Sequence, residues 1–432
     1  MYLPEQVLLC MEKLKSAGFA AYAVGGCVRD ALLGLTPHDY DLCTDATPEQ
    51  LQEVFRELPL VLNGTKHGTV GVIIDHQNYE ITTFRTEGGY ADSRHPDWVQ
   101  FVGNVEEDLA RRDFTVNAMA YSPETGYIDP WGGQKDLENR ILRTVGDPKQ
   151  RFMEDALRIL RGVRFAIRFD LTPEPATLNA MNDLAYTING ISAERIFEEL
   201  CKIIMLAKAD DIVLFSKVLT AALPELAPCV DFDQRTPYHV HDVYTHTAHV
   251  VERVPEDLVL RWTAILHDIG KPPCLTVDEN GQGHFYGHAS VSAQMADEAL
   301  RRLKAPTALR EQVVTLIKLH MNPLHPDRKM LTRLLSKHGW DTVEKLLVLQ
   351  KADYGAKVPD YSPAEAFLNQ LRQEEPCLHL RDLAIGGKDL MMLGITPGPE
   401  MGAILKKLLA LVQEQQLPNE KSALLKYVED QR

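Results

Sequence analysis

Short apolar runs with a period of two alternate with helical stretches over the first third of the chain. Strand patterns occur at 22–24, 39–42, 70–74 and 80–85, and the last two flank a polar turn at 75–78. From about residue 146 to the C-terminus, the helical period dominates. The pattern predicts an α+β fold in which a small mixed sheet is followed by all-α regions.

The segment around residues 22–41 combines a glycine turn with closely spaced carboxylates. An apolar run ending at Val24 predicts a strand, Gly25 and Gly26 break it, and a short helix follows. Glycines after a strand let the backbone approach a phosphate chain, and N–H groups at a helix start face anionic oxygens. The segment therefore predicts a phosphate-binding turn, with Arg29 as a supporting cation.

Asp39 and Asp41 lie two positions apart at the start of the next predicted strand. Because side chains alternate along a strand, both carboxylates project from one face, where they can hold one or two divalent cations. Glu80, in a strand of the following hairpin, is the candidate third carboxylate. The alternative is a plain turn with solvated surface acids, including a strand-edge Glu80.

The run GGCVRD at 25–30, followed by DYD at 39–41, resembles the head-domain signature of class II tRNA nucleotidyltransferases and bacterial poly(A) polymerases. These proteins belong to the polymerase-beta-type nucleotidyltransferase superfamily. The resemblance implies a polymerase-beta-like catalytic head in which Asp39 and Asp41 bind Mg²⁺.

The run RRDFTVNA at 111–118 extends this resemblance, and its pattern predicts a helix. Asp113 and Asn117 are four positions apart and would share a helix face, where they could contact ribose hydroxyls. Arg111 and Arg112 would neutralise phosphate charge. A capped amphipathic helix without a ligand is the alternative.

The helical pattern at 152–169 contains EDALRILR at 154–161, which matches the family's base-reading motif EDxxR. Asp155 and Arg158 are three positions apart, so their side chains are predicted to meet on the helix surface. A carboxylate accepting from an amino group beside a guanidinium donating to a ring nitrogen would accept cytosine and adenine and reject guanine and uracil. Arg161 belongs to the same candidate nucleotide site. An ordinary intrahelical ion pair is the alternative.

Two further stretches fit the same family. The polar, glycine-rich region 86–106 predicts a long loop, and such a loop resembles that of family members that add the terminal adenosine. The triplet ERI at 194–196 resembles the family's helix-stabilising motif, and its charges are predicted to satisfy each other locally.

A second set of metal-binding residue types begins after the proline-rich segment 223–228. It comprises His246, His267, Asp268, His288, His320 and Asp353. Imidazole and carboxylate together suit a divalent transition metal such as Mn, Fe, Co, Ni or Zn. The ordered set H…HD…H…H…D resembles the HD phosphohydrolase superfamily, a helical fold whose metal activates water against a phosphoester. The resemblance leaves room for a second metal at His288 and His320, and implies a contact of Lys271 with substrate phosphate.

Size, charge and cysteine content complete the picture. At 432 residues with 45% hydrophobic content, the chain is long enough for several cores. A net charge of −15 argues against a generally nucleic-acid-coating surface, so RNA contact needs a local basic groove. The candidate groove is the helical stripe Arg158, Arg161, Arg164 and Arg168, with Lys149 and Arg151 just before it. Acidic neighbours make a solvated, paired face the alternative.

Seven cysteines without a C-x-x-C pair fit a reducing compartment. No apolar run reaches the length of a membrane span, and the N-terminal residues lack a basic-then-apolar leader pattern. We therefore expect a cytoplasmic protein that does not enter a membrane.

Together these patterns predict four regions. They are a nucleotidyltransferase head at 1–145, a helical neck for base selection and RNA binding at 146–225, an HD metal-dependent phosphohydrolase domain at 226–365 and a helical C-terminal region at 366–432. The resemblance implies template-independent addition of CCA to the tRNA 3′ end from CTP and ATP by two-metal nucleotidyl transfer. A poly(A) polymerase or an enzyme that adds only A is the alternative within this class. The alternative from another class is an HD phosphohydrolase with an RNA-binding head.

Overall fold

The computed structural model describes residues 1–88, 98–235, 241–354 and 360–431. The chain divides into two units. The first comprises Met1–Ala227 with Arg302–Lys304, and the second comprises Pro228–Arg301 with Ala305–Arg432.

The first unit mixes strands and helices. Its strands are β1 (Ala21–Val24), β2 (Leu42–Thr44), β3 (Leu60–Val61), β4 (Thr69–Ile74), β5 (Gln77–Thr83), β6 (Arg85–Gly88), β7 (Trp98–Phe101), β8 (Ala120–Ser122), β9 (Gly126–Ile128), β10 (Ile141–Leu142) and β11 (Thr172–Pro173). Its helices are α1 (Glu5–Ser16), α2 (Gly26–Leu32), α3 (Pro48–Val54), α4 (Val105–Ala110), α5 (Gly133–Glu138), α6 (Pro148–Glu154), α7 (Leu157–Phe169), α8 (Pro175–Asp183), α9 (Ala193–Leu206), α10 (Ala209–Leu214) and α11 (Ser216–Ala222).

A mixed sheet forms the centre of the head, with the strand order β3-β4-β5-β2-β1-β8-β9. β4 and β5 are an antiparallel hairpin, and the positive φ angles of Asp75 (51°) and His76 (65°) in its turn match the twist of a tight hairpin. β2 lies parallel to β5 and antiparallel to β1. The start of β2 thereby lies between the end of β1, where the glycine turn begins, and the middle of β5. The predicted α+β fold with a mixed sheet in the head is confirmed.

The strand predicted to open at Asp39 begins later. β2 starts at Leu42, and the backbone N–H of Val24 donates to the carbonyl oxygen of Asp41 at 3.0 Å. Asp41 therefore continues the β1–β2 ladder by one residue, whereas the described strand does not include Asp39.

The long loop predicted at 86–106 is also shorter than expected. β6 and β7 pair antiparallel, with Arg85 opposite Phe101, and α4 begins at Val105. Residues 89–97 of the predicted loop lie outside the described residues.

The helix predicted at 111–118 does not form. α4 ends at Ala110, and a 3-10 turn covers Thr115–Asn117. Phe114 bridges to Thr144, and the carbonyl oxygen of Asp113 accepts the N–H of Val145 at 3.1 Å. These backbone contacts with Thr144 and Val145 hold the segment in an extended conformation, although the pattern of its side chains predicts a helix.

The second unit is largely helical. Its helices are α12 (Val243–Arg253), α13 (Leu258–Leu266), α14 (His288–Arg302), α15 (Thr307–Leu319), α16 (Arg328–Tyr354), α17 (Ser362–Gln373), α18 (Gly387–Met392), α19 (Pro399–Gln413) and α20 (Lys421–Asp430). A short antiparallel pair joins β12 (Thr276–Val277) to β13 (Gly283–His284). Gly339, with φ 78°, kinks α16. 3-10 helices in the two units cover Thr65–His67, Thr115–Asn117, Ala185–Gly190, Pro224–Cys229, Pro272–Cys274 and Leu380–Asp382.

Apolar cores stabilise this unit, and two of them lie within its described residues. One packs α15, α16 and α17 around Leu331, Leu335 and Leu346. The other joins the last helices around Leu408 and Leu424, so the C-terminal region has a core of its own. In the part of the chain that the structure describes, no helix is both long and apolar enough to cross a bilayer.

Candidate active sites

Asp41 lies next to Glu80 on the central sheet of the head. The parallel register pairs Leu42 with Ile81, and extending it by one residue places Asp41 opposite Glu80. Both acids are accessible to solvent. Partial desolvation by the surrounding protein nevertheless raises the pKa of the Asp41 carboxyl; Arg112 opposes this shift, whereas Glu80 and Asp39 add to it. Glu80 and Asp39 are therefore each close enough to repel the Asp41 carboxylate.

Oxygen ligands carrying concentrated negative charge suit Mg²⁺. Within the described ranges, the clusters of three or more metal-ligating atoms lying within 4.8 Å of one another are in the second unit, and the head carboxylates do not form such a cluster. Mg²⁺ is usually bound by one or two carboxylates and completes its shell with water and phosphate oxygens. The head residues fit a cation that shares its coordination with a substrate.

The glycine turn lies against Arg112, and a buried acid pairs with both Arg112 and Arg111. Gly25 has φ 74°, and its N–H donates to the carbonyl oxygen of Met119 at 3.0 Å. A Cβ at Gly25 would lie 2.8 Å from Nη1 of Arg112, so a side chain there would displace this guanidinium. Asp108 is fully buried and pairs with Arg111 at 2.9 Å and Arg112 at 3.2 Å. Burial would raise the pKa of Asp108, but the two arginines hold it below its ordinary value.

Four of the residues predicted to bind nucleotide form one hydrogen-bonded network with Asp30. Arg29 donates to Oδ1 of Asp30 from Nε at 2.9 Å and from Nη2 at 2.6 Å, and to Oδ1 of Asn117 from Nη1 at 2.5 Å. Nδ2 of Asn117 donates to Oδ1 of Asp113 at 3.1 Å. Nε and Nη2 of Arg161 donate to Oδ2 of Asp113 at 2.9 and 2.6 Å. The structure thus brings these residues together although no helix joins Asp113 to Asn117.

Asp113 is an anion in this network. Burial opposes its charge, but Arg161 and the amide of Asn117 hold the pKa of its carboxyl well below the ordinary range. The network links the glycine turn, the 3-10 turn and α7.

The predicted contact between Asp155 and Arg158 is wrong. The helix is interrupted at Asp155 (φ −144°, ψ 104°), whose Oδ1 accepts the N–H of Leu157 at 3.0 Å. Oδ2 of Asp155 accepts from Arg195 at 3.2 Å, whereas Arg158 donates to Glu154 at 2.7 Å. The charges of the ERI triplet are therefore not satisfied locally, because its arginine pairs with an acid 40 positions earlier in the chain.

The candidate RNA-binding stripe on α7 is largely neutralised by acids. Arg161 pairs with Asp113, and Nε of Arg164 donates to Glu199 at 2.6 Å. Arg168 is exposed. This pattern favours the paired-face interpretation for the inner arginines of the stripe.

The six histidine and aspartate residues predicted to bind metal converge in the second unit. His246 is on α12, His267 and Asp268 follow α13, His288 opens α14, His320 follows α15, and Asp353 is near the end of α16. His246, His267, Asp268 and Asp353 form one group with ligand atoms within 4.8 Å of one another, and Asp268, His288 and His320 form a second. We call these six residues the His/Asp cluster. Asp268 is shared by both groups.

Three imidazoles of the cluster have their tautomers fixed by the backbone. The Nδ1 atoms of His267, His288 and His320 are hydrogen-bonded to the carbonyl oxygens of Ala264, Phe285 and Ile317 at 2.7, 2.8 and 2.6 Å. Because a carbonyl only accepts, each Nδ1 carries a proton, and each Nε2 is the nitrogen left to bind a metal. All three Nε2 atoms are buried without a hydrogen-bond partner. Buried, unpaired imidazole nitrogens beside carboxylates are the donor set that a transition metal requires.

The carboxylates lie at the centre of these nitrogens. Oδ1 of Asp268 is 3.3 Å from Nε2 of His288, and Oδ1 of Asp353 is 2.9 Å from Nε2 of His246. Lys271 is buried, with Nζ 2.7 Å from Oδ2 of Asp268. Lys271 therefore neutralises the shared carboxylate, and its predicted contact with a substrate phosphate stays a prediction.

Electrostatics separate two of the histidines. Burial opposes charge on His267, but Asp268 and Asp353 raise its pKa to about 10. Burial and the neighbouring His267 lower the pKa of His320 to about 4. The metal-free cluster therefore favours one charged imidazole beside one neutral imidazole.

Some partners of the site residues were not predicted from the sequence. Asp108, which pairs with Arg111 and Arg112, precedes them by three and four positions, and that spacing was a usable signal. The sequence assigns Arg195 to a structural motif, and no local spacing connects it to Asp155.

Comparison with known proteins agrees with this architecture. The profile of the Poly A polymerase head domain matches residues 21–143, and that of tRNA nucleotidyltransferase domain 2 matches residues 284–428. The fold and the carboxylate site thus define a nucleotidyltransferase with a poly(A) polymerase-type head.

Relatives narrow this class to one family. The CCA-adding enzyme of Levilactobacillus brevis is 35% identical over 433 residues, covering 99% of each chain. That of Streptococcus suis is 34% identical over 428 residues, covering 98% of this chain and 96% of the relative. The chain belongs to the family of CCA-adding enzymes. The predicted family and enzyme class are confirmed.

Solved structures agree. The crystal structure of the Bacillus stearothermophilus CCA-adding enzyme in complex with CTP is 28% identical, with a TM-score of 0.76, and the match covers 100% of this chain and 98% of that one. The Thermotoga maritima CCA-adding enzyme complexed with tRNA_CCA shares the fold, with 21% identity, a TM-score of 0.60 and coverage of 100% and 97%.

Proposed function

We propose that this protein adds the CCA end to tRNA without a nucleic-acid template, using CTP and ATP, in the cytoplasm. The observation that carries the proposal is the placement of Asp41 beside Glu80, coupled to Asp39 and adjoining the Gly25 turn. The similar Bacillus structure was solved with CTP, and the similar Thermotoga structure with tRNA_CCA. Both substrates are therefore taken as substrates of this chain.

Asp39 and Asp41 are the proposed Mg²⁺ ligands, with Glu80 as the third carboxylate. Bound Mg²⁺ would supply charge neutralisation to the triphosphate and favour ionisation of the tRNA 3′ hydroxyl. The N–H groups following Gly25 and Gly26 would bind phosphate oxygens, because N–H groups at the start of a helix face anions. Arg111 and Arg112, held by Asp108, would provide fixed positive charge near the phosphates.

Asp155 and Arg158 are proposed to select the base. Their partners, Arg195 and Glu154, keep each side chain in one orientation. A fixed carboxylate and a fixed guanidinium reject a base with the opposite donor and acceptor order, because buried polar atoms would remain unpaired. In this arrangement the protein replaces a nucleic-acid template.

The decisive experiment supplies tRNA ending before, within and after CCA with each nucleotide alone. We expect CTP to extend tRNA lacking CCA by two residues, ATP to extend tRNA ending in CC by one, and no nucleotide to extend complete tRNA. If ATP were the only nucleotide incorporated, whichever tRNA is supplied, the protein would be an A-adding enzyme. Long A tails would identify a poly(A) polymerase.

We propose a second activity for the second unit, that of a metal-dependent phosphohydrolase. The carrying observation is the set of three buried Nε2 atoms without hydrogen-bond partners around Asp268. A transition metal in this cluster would polarise water and a phosphoester. The shared Asp268 suits two cations, while Lys271 balances its charge in their absence.

This activity can be tested independently of nucleotide transfer. We expect purified protein to bind Mn²⁺, Co²⁺, Ni²⁺ or Zn²⁺ by elemental analysis and to hydrolyse bis(p-nitrophenyl) phosphate. His288→Ala should lower both metal content and hydrolysis. His284→Ala is the matched control, since His284 pairs with Asp278 outside the cluster. Unchanged metal content in the His288 variant would contradict the proposed ligand set.

A further inference from the structure

An aromatic pair on α7 lies against Arg29, the arginine of α2, which follows the glycine turn. The rings of Phe165 and Phe169 stack with centroids 6.0 Å apart, and the two residues are only 5% and 4% exposed. The guanidinium carbon of Arg29 lies 4.1 Å from the ring centroid of Phe169 and 5.4 Å from that of Phe165. At these distances the ring quadrupole attracts the cation.

Arg29 is enclosed by protein groups. Only 6% of its surface is exposed, and its three nitrogens donate to Asp30 and Asn117 at 2.5 to 2.9 Å. A guanidinium held in this way fixes its neighbours instead of reaching into a cleft for a triphosphate. The position of Arg29 therefore suits a role in alignment.

Two chains of contact run from α7 to the head and meet at one side chain. The first runs from Phe169 to Arg29, which donates to Oδ1 of Asn117. The second runs from Arg161 to Asp113, which accepts from Nδ2 of the same Asn117. The contacts close a loop that fixes the glycine turn relative to α7.

We propose that Phe169 is a positioning residue for nucleotidyl transfer, acting through Arg29 to hold the phosphate-binding turn in line with the base-selecting helix. The inference rests on the proposed function, because it assigns the turn to phosphates and α7 to the base. Removing the ring takes away no group assigned to nucleotide binding. The nucleotide still binds, but its α-phosphate is less well aligned with the 3′ hydroxyl.

The test compares Phe169→Leu and Phe169→Tyr in the full chain, with CTP incorporation into tRNA lacking CCA as the readout. We expect Phe169→Leu to lower kcat about tenfold while KM for CTP stays within about twofold, since lost alignment acts on the transition state. Phe169→Tyr retains the aromatic face and should restore kcat to within about threefold of wild type.

Phe55→Leu is the matched control for loss of a buried ring. Phe55 is fully buried in the head and belongs to neither contact chain. It should lower the thermal unfolding midpoint as Phe169→Leu does, with kcat within about twofold of wild type.

A double-mutant cycle tests the route through Arg29. If Phe169 acts through Arg29, adding Phe169→Leu to Arg29→Met should cause no further loss of kcat. Losses of kcat that multiply in the double mutant would overturn the proposal. An unchanged kcat in Phe169→Leu, or a rise in its KM without a fall in kcat, would also overturn it. So would a folded Phe169→Tyr variant that fails to restore kcat. A wild-type chain that incorporates no nucleotide would overturn the proposed function itself, which distinguishes the two failures.

Discussion

The Asp41 carboxyl is held at a cost to the fold. Its pKa is raised by desolvation and by Glu80 and Asp39, so the folded protein disfavours the ionised form that a cation requires. Because its pKa is raised, ionised Asp41 reduces the stability of the fold at neutral pH. A neutral side chain at this position would not reduce stability in this way. We therefore predict that Asp41→Asn lowers nucleotide incorporation about a thousandfold without lowering the unfolding midpoint at pH 7.

Incorporation assays and thermal unfolding of the same preparation check this prediction. Glu57→Gln removes an exposed carboxylate elsewhere in the head and should leave both measurements unchanged. A lower unfolding midpoint for Asp41→Asn would assign the aspartate a structural role.

Gly25 and Gly18 separate backbone strain from steric exclusion. Both have positive φ, 74° and 87°, but a Cβ at Gly25 would meet Arg112 at 2.8 Å, whereas a Cβ at Gly18 would meet nothing within 4 Å. We predict that each alanine substitution costs about 1–2 kcal/mol of unfolding free energy. Only Gly25→Ala should also reduce incorporation, because it displaces Arg112 from the phosphate turn.

Urea unfolding and incorporation kinetics on the two variants provide the comparison. Equal loss of turnover in Gly18→Ala would show that stability alone limits activity.

At the scale of elements, the break between α6 and α7 turns Asp155 toward α9. Its pair with Arg195 is partly exposed, with 24% and 17% of the side-chain surfaces accessible, so its contribution to stability is modest. We predict that Arg195→Met lowers the unfolding free energy by about 1 kcal/mol or less but reduces discrimination of CTP from UTP about tenfold.

Competition between the two nucleotides on one tRNA measures this discrimination. Arg195→Lys keeps the charge but loses the planar donor geometry. This variant should therefore retain part of the discrimination of CTP from UTP. Unchanged discrimination in Arg195→Met would show that the pairing of Asp155 with Arg195 does not contribute to base selection.

The helix ends that form the His/Asp cluster make stability depend on pH when metal is absent. The pKa of His267 rises from 6.5 to about 10, so its charge stabilises the fold fully below pH 6.5, and that stability is lost as the pH rises toward about 10. We predict that the unfolding free energy of the protein in EDTA falls across this window.

Urea unfolding at a series of pH values, for wild type and His267→Gln, measures the effect. The variant should lack this part of the pH dependence. A slope shared by both proteins would assign it to other groups.

At the scale of the whole molecule, the sequence predicted residue types and their order better than their contacts. The α+β class and the glycine turn follow from local patterns, whereas the six residues of the His/Asp cluster, spread over positions 246 to 353, follow from the order of their residue types. The Asp155–Arg195 pair joins residues 40 positions apart, and no periodicity encodes it. The side chain of Asp155 also accepts a hydrogen bond from the N–H of Leu157, as aspartate does at the start of a helix. The predicted helix at 152–169 is therefore interrupted at this residue.

The two candidate sites use unrelated residues in different units, and this makes their independence testable. Asp39 lies in Met1–Ala227, whereas His267 lies in Pro228–Arg301. We predict that Asp39→Ala abolishes incorporation into tRNA but retains metal content and phosphoester hydrolysis, because the imidazole donors are untouched. His267→Ala should lose metal and hydrolysis while incorporating CTP and ATP at the wild-type rate. Each variant thus serves as the folding control for the other, and loss of incorporation in a folded His267→Ala protein would contradict two independent sites.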